Sequence, residues 1–257
     1  MRIELATRPG DPSRPDEDFV SAVLPASGRG GALVLLDGVT PPPDGDDGCV
    51  HGVAWFTAHL GGALVELCAA RREMGLRECL AEAIARTTAA HGGGCDLAHR
   101  RTPQATAVLA RWDGARVEYL VLSDSVLLVE GADGAVTPVL DDRIARLAAR
   151  GPVTDAQRNA DGGFFTAAAD PSVVSRAVTG ALPRDAVRAL AALSDGASRW
   201  VEVFRAGDWA RCLGLLAKSG PRALIDRVRA AELADPECVA FRRGKAHDDA
   251  SVVYAEL

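Results

Sequence analysis

No run of basic residues occurs anywhere in this chain of 257 residues, whose formal net charge is −6. Nucleic acid and anionic membranes are gathered by a positive field, so neither is expected as a partner. The six cysteines, Cys49, Cys68, Cys79, Cys95, Cys212 and Cys238, contain no CxxC pair. Met1 to Thr7 show no basic segment followed by an apolar one. These absences lead to the expectation of a reducing, cytoplasmic setting with free thiols. No apolar stretch approaches the roughly 18 residues of a membrane helix, which argues against a spanning segment. Internal repeats and low-complexity tracts are missing as well.

What is present is an average globular composition, 48% hydrophobic and 25% charged, enough for a full core. A single domain over 1–257 is expected. The Pro9 to Pro15 segment, the Pro41-Pro42-Pro43-Asp44-Gly45-Asp46-Asp47 stretch and Gly92-Gly93-Gly94 are short enough to be loops inside it.

Between Phe19 and Asp37 two apolar runs flank a glycine-rich turn, and Ala32 to Leu36 shows no alternation, as in a strand buried on both faces. Val53, Phe56, Leu60, Leu64 and Leu67 recur at helical spacing, and Leu76, Leu80, Ile84 and Thr87 repeat the pattern. Strand-like runs follow at 105–112, 116–122, 126–130 and 135–140, with Asp113-Gly114 and Asp133-Gly134 suited to tight hairpin turns. Val173 to Ala181 and Val187 to Leu193 read as a further strand pair. Helical segments at 200–204, 209–216 and 223–233 precede a last strand, 251–256. Helical blocks around two blocks of antiparallel strands imply sheets packed face to face with helices outside.

Three apolar runs end alike, in Asp37-Gly38, Ser123-Asp124 and Ser194-Asp195-Gly196. Taken singly, each aspartate is explained as a turn residue or helix cap. Glu17-Asp18 and His247-Asp248-Asp249 add acids beside apolar strands, without basic neighbours that stand out as counter-charges. Converging carboxylates raise one another's pKa, and a hard divalent ion relieves the conflict; Mg²⁺ or Mn²⁺ suits an all-oxygen donor set better than zinc.

In order, the chain reads Asp16-Glu17-Asp18-Phe19, Leu35-Leu36-Asp37-Gly38-Val39, Gln104-Ala105-Thr106-Ala107, Leu122-Ser123-Asp124-Ser125, Leu193-Ser194-Asp195-Gly196 and His247-Asp248-Asp249-Ala250-Ser251. This series resembles the PPM family, the type-2C metal-dependent serine/threonine phosphatases, over nearly the whole chain. The resemblance implies an α+β fold, a four-layer α/β/β/α sandwich with a two-metal site at one end of the sheets. It makes Asp37 the bridging ligand and Gly38 a carbonyl ligand, and places Glu17 and Asp18 on or behind one ion. Asp195 and Asp248 fall to the other ion, and Asp124 to a weaker third. Asp249, where the family commonly has asparagine, is assigned to orienting its neighbour, with a ligand shift of one residue as the alternative. A water between two ions about 4 Å apart then attacks phosphorus while the metals neutralise the phosphoryl oxygens. The lack of GxSxG, of a P-loop and of a cysteine in a nucleophile's setting agrees, since no protein nucleophile is required. A bidentate arginine should hold the phosphate; Arg14 is the candidate and Arg8 its rival.

The chain departs from the family pattern after Gly38, where Val39-Thr40 and three prolines replace the familiar glycine- or histidine-containing loop. His51 and His247 are considered for the missing acid, but a loop or packing role explains each better. The segment 143–164 reads as a reduced flap. Cys49-x-His51 and Cys95-x-x-x-His99 have zinc-ligand chemistry but loose spacing. The tryptophans Trp55, Trp112, Trp200 and Trp209 read as core or helix-face aromatics, and the Arg71-Arg72, Arg100-Arg101 and Arg242-Arg243 pairs as solvated surface. Three functions are compatible with this reading. A monomeric phosphatase acting on phosphorylated proteins leads. A phosphatase of the same fold acting on a phosphorylated small molecule is second, and a catalytically silent binding module third.

Overall fold

The computed structural model describes residues 1–42 and 46–257; Pro43, Asp44 and Gly45 of the proline-rich loop lie outside the described residues. Two five-stranded sheets stack face to face. One is built from β1 (Arg2–Arg8), β10 (Ala250–Glu256), β9 (Val187–Leu193), β6 (Val126–Gly131) and β7 (Val136–Val139), in that spatial order. The other runs β2 (Phe19–Val23), β3 (Gly31–Leu36), β4 (Ala107–Trp112), β5 (Arg116–Leu122) and β8 (Val178–Pro183). Every pairing is antiparallel.

Unbroken apolar strands follow from this stacking. Leu33 and Leu35 of β3 meet Leu190, Ala192 and Val253 of the opposite sheet in the central layer. Their neighbours Ala32, Val34 and Leu36 face outward against α1 (Val53–Ala70) and α2 (Leu76–Ala90). On the other side α4 (Asp195–Glu202) and α5 (Trp209–Ala234) cover Val126, Leu128, Ala191 and Tyr254. A strand buried on both faces has no position for a polar residue, which is why no alternation is visible. The four-layer sandwich expected from the sequence is present. The segments 209–216 and 223–233 form one helix interrupted at Gly220, just before Pro221.

Three expectations need correction. The runs 173–181 and 187–193 are not a pair: Pro171–Arg176 is a 3₁₀ turn, β8 joins β5, and β9 joins β6 and β10 in the other sheet. Their burial explains the split, because β8 alternates between half-buried and exposed residues as an edge strand does, whereas β9 is buried except at Arg188 and needs neighbours on both sides. The N-terminal strand β1 is not among the elements read from the sequence: Ile3 and Leu5 alternate with Arg2 and Glu4, but the alternation is too short to mark an edge strand by itself. Finally, Val53–Ala70 has 18 residues and a mean hydropathy of 1.4, long and apolar enough to cross a membrane by length and composition. Small residues within it raise that average, but Phe56, Leu60, Leu64 and Leu67 are fully packed against the β2–β5 sheet as the core face of a covering helix.

Candidate active site

The acids singled out in the sequence all stand at one end of the two sheets. Asp37 follows β3, Asp124 lies in the turn from β5 to β6, and Asp195 opens α4 immediately after β9. Glu17 and Asp18 precede β2, and Asp248 and Asp249 precede β10. A cavity of about 350 Å³ opens there, lined by Asp37, Gly38, Thr40, Thr106, Asp124, Arg158, Asp195, Arg199, Lys245 and Asp248 among others. A larger cleft of about 860 Å³ between β1 and α5 collects no such group of acids.

Asp37 is held on three sides. Its amide donates to Thr106 Oγ1 at 3.3 Å, its carbonyl accepts from the Thr106 amide at 2.9 Å, and its Oδ2 accepts from the Asp195 amide at 2.9 Å. The last contact points the carboxylate of one sheet at the helix start of the other, where the unpaired amides favour negative charge. The glycines after both aspartates are required by close approach. A Cβ on Gly38 would lie 2.4 Å from the Glu17 carbonyl oxygen, and one on Gly196 would lie 1.9 Å from that of Asp249. Ser123 adopts a left-handed φ of 70°, with its amide donating to Asp141 Oδ2 at 3.1 Å, and this turn carries Asp124 toward the cavity.

Burial pushes the Asp37 carboxyl well above the usual carboxylate range, and Asp195, Asp18 and Asp124 push it further. Asp195 is raised to about 7, first by burial and then by Asp248 and Asp124, with Arg199 and Lys245 opposing. Burial raises Asp18 strongly and Asp124 as well. Asp18 Oδ2 is buried and has no hydrogen-bond partner among the described residues. One carboxylate oxygen each from Asp16, Asp18 and Asp249 lies within 4.8 Å of the others. An all-oxygen donor set of half-buried, mutually repelling carboxylates, with one buried and orphaned oxygen on Asp18, fits a hard divalent cation.

Asp248 differs. Its Oδ2 accepts from Arg199 at 2.8 Å and its Oδ1 from Lys245 Nζ at 2.7 Å. Arg199 is fixed by the fully buried Glu232, which also takes Arg229 at 2.7 Å and His247 Nδ1 at 3.0 Å. For Lys245, burial alone would lower the pKa, but Asp248, Asp195 and Asp37 outweigh it and the ammonium is held above its ordinary value. The expectation of acids without adjacent cations therefore fails at Asp248. Arg199 lies 49 residues away in sequence, and Lys245 three residues away, where local context does not show that its side chain turns back.

Asp249 accepts the amides of Gly10 at 2.8 Å and Glu17 at 2.7 Å, and so sets the entry to β2. Glu17 accepts a short hydrogen bond from the Thr40 hydroxyl, and burial raises its pKa despite that bond. Arg14 is exposed and outside the cavity lining, while Arg8 pairs with Asp226 at 3.1 Å. The arginines that do line the cavity are Arg158 and Arg199. Arg158 comes from the segment 143–164, which begins with α3 (Arg143–Ala148), and lies 4.9 Å from the Phe164 ring centre and 3.4 Å from Asp155. Ile144, Val153 and Phe164 of the same segment complete that wall. His247 faces Glu232, and His51 stacks on Trp55 away from the cavity lining. The arginine pairs are less free than expected, since Arg72 bonds the Trp112 carbonyl, Arg101 pairs with Asp155 and Arg243 with Asp235.

No family model matches the sequence, nor does any curated protein. Solved structures do match. The serine/threonine phosphatase Stp1 from Staphylococcus aureus is 15% identical with a TM-score of 0.64, covering 99% of this chain and 94% of Stp1. PppA, a regulatory component of the type VI secretion system (T6SS) in Pseudomonas aeruginosa, is 16% identical at 0.61, covering 98% and 96%. The catalytic domain of the serine/threonine protein phosphatase PstP, in complex with two manganese ions, is 19% identical at 0.58, covering 99% and 97%. The likeness is one of fold over the whole length, and the chain has the fold of the PPM-type serine/threonine phosphatases.

Proposed function

We propose that this chain is a metal-dependent phosphomonoester hydrolase acting on phosphoserine and phosphothreonine in proteins, with 1–257 as one phosphatase domain. The observation that carries the reading is the pair Asp37 and Asp195, half-buried at the mouth of a cavity, where the Asp195 amide donates to the Asp37 carboxylate and where burial first, and then the surrounding acids, raise both carboxyls. In this reading Asp37, the Gly38 carbonyl, Glu17, Asp18, Asp195 and Asp248 hold two Mg²⁺ or Mn²⁺ ions, and Asp124 belongs to a weaker third position. When bound, the ions supply water activation and charge neutralisation at the phosphoryl oxygens.

The chain's own groups do the rest. The Asp195 amide and Thr106 keep the Asp37 carboxylate aimed into the cavity. Arg158 is the guanidinium placed to grip a phosphate, in preference to Arg14, because it lines the cavity. Ile144, Val153 and Phe164 exclude water on the flap side.

The Arg199–Asp248–Lys245 cluster favours a second reading, a binding module of the same fold in which chain cations replace one metal contact. Hydrolysis of an aryl phosphate with and without Mn²⁺, in the intact protein, Asp37→Asn and Asp195→Asn, separates the two. Metal-dependent turnover lost in both variants supports the enzyme. A folded protein that binds no Mn²⁺ supports the module. A panel of phosphopeptides and phosphorylated metabolites then decides the substrate class.

A further inference from the structure

A second constellation of ligand-type side chains lies outside the carboxylate cavity. Cys49 Sγ is 3.2 Å from Cys95 Sγ, Cys95 Sγ is 3.3 Å from His51 Nδ1, and Cys49 Sγ is 3.7 Å from the same nitrogen. Ligand atoms on one tetrahedral zinc, with Zn–S about 2.3 Å and Zn–N about 2.0 Å, stand about 3.5–3.8 Å apart, so a small outward adjustment admits the ion. The His51 amide also donates to Cys49 Sγ at 3.4 Å, a contact that steadies a thiolate.

A further donor lies nearby, though outside the 4.8 Å within which the ligand atoms of Cys49, His51 and Cys95 all meet, so the His91 ring would have to move inward to join them. His91, at the end of α2, is 5% exposed, and its Nδ1 lies 2.8 Å from the Thr87 carbonyl oxygen. A carbonyl only accepts, so Nδ1 carries the proton and Nε2 presents a lone pair. That nitrogen is buried without a hydrogen-bond partner among the described residues. A backbone carbonyl holding the far nitrogen is the usual arrangement behind a zinc-bound histidine. The rings of His51 and His91 are 5.3 Å apart between centres, and two imidazoles on one tetrahedral ion are separated by about 5 Å.

We infer that Cys49, Cys95 and His51 bind a zinc-class divalent cation, with His91 as the fourth ligand. His99, the fourth residue the sequence spacing suggested, turns elsewhere: its Nδ1 accepts the Arg101 amide at 3.2 Å. Binding releases the two thiol protons to solvent and leaves both sulfurs as thiolates on the metal. The site would tie residues 46–52, which lead into α1, to the loop holding Cys95 and, through His91, to the end of α2. The Asp96 amide already bonds the Gly48 carbonyl there at 2.7 Å.

The test is a Co²⁺ titration of the full reduced chain, read by the thiolate-to-cobalt charge-transfer absorption that only sulfur ligands produce, followed by displacement with Zn²⁺. The band should appear in the natural protein, in Asp37→Asn/Asp195→Asn and in His99→Ala, and vanish in Cys49→Ser and Cys95→Ser. His91→Ala should bind zinc at least about 10-fold more weakly, since losing a direct ligand costs no less than losing an outer-shell partner; unchanged affinity there overturns His91 as a ligand. Should the cysteine variants fail to fold by circular dichroism, alkylation of the natural protein decides, with zinc protecting Cys49 and Cys95 but not Cys238. Absence of the band, a band that survives Cys95→Ser, or a Cys49–Cys95 disulfide formed in place of metal binding overturns the site.

Discussion

The Asp195 amide donates to Asp37 Oδ2 across 158 residues of sequence, at 2.9 Å, and so joins the ends of the two sheets. One hydrogen bond thus brings the carboxylates of β3 and β9 into the same field. Replacing either acid with asparagine keeps the shape and removes the charge. Asp37→Asn and Asp195→Asn should each lower Mn²⁺-dependent hydrolysis of an aryl phosphate on the order of 10²–10³-fold or more. Steady-state rates on protein shown to be folded check this, and a variant retaining full activity would count against the proposed centre.

The same acids set a pH dependence in metal-free protein. Asp195 is raised from its ordinary 3.8 to about 7, so the folded state holds a proton that the unfolded chain has already lost over that interval. The stability this provides is complete below about pH 4 and is lost as pH rises through 7. Asp235 acts in a different window: its burial is outweighed by hydrogen bonds and Arg243, which hold it at about 2, so its stabilisation is complete above about pH 4 and is lost only as pH falls toward 2. The difference in Tm between the natural protein and Asp195→Asn isolates the effect. With chelator present the natural protein should lose ground to the variant as pH climbs from 4 to 7, and Mn²⁺ should reverse the order near neutrality.

Lys245 competes with any cation for Asp248. Its ammonium is 2.7 Å from Oδ1, but the side chain is 44% exposed, so solvent weakens the pair. Lys245→Met should therefore tighten Mn²⁺ binding by only about 2–5-fold, measured by calorimetry. Unchanged or weaker affinity would show that the lysine does not occupy the metal's ground.

Arg199 sits deeper. Its partner Glu232 has a side chain with 0% exposure, so Arg199→Met leaves a buried carboxylate with Arg229 and His247 alone. Loss of about 3 kcal/mol in urea unfolding is expected. A much smaller change would mean that Arg229 neutralises Glu232 unaided.

Arg158 and Arg14 make opposite predictions. Arg158→Ala should raise KM for a phosphate ester about 10-fold or more, as expected for a lost charge-assisted hydrogen bond, with Mn²⁺ affinity unchanged. Arg14→Ala should leave KM near the natural value. The reverse pattern would return the phosphate grip to the N-terminal loop.

Local chemistry made much of this protein readable in advance. Helical spacing of Val53, Phe56, Leu60 and Leu64 marks α1, and the unalternating run Ala32 to Leu36 marks a strand covered on both faces, because burial acts on each position separately. Aspartates at the ends of apolar runs announce the carboxylate cavity for the same reason. Pairing across the fold is another matter. Neither β8 nor β9 carries a label for its sheet, and β1 gains its place only from the register of β10. The cations on Asp248 and the meeting of Cys49, His51 and Cys95 depend on where the chain turns back, and interactions that act through space leave no periodic trace along the chain. Residue type therefore determined which groups seek burial, charge or metal, whereas tertiary packing alone decided which of them meet.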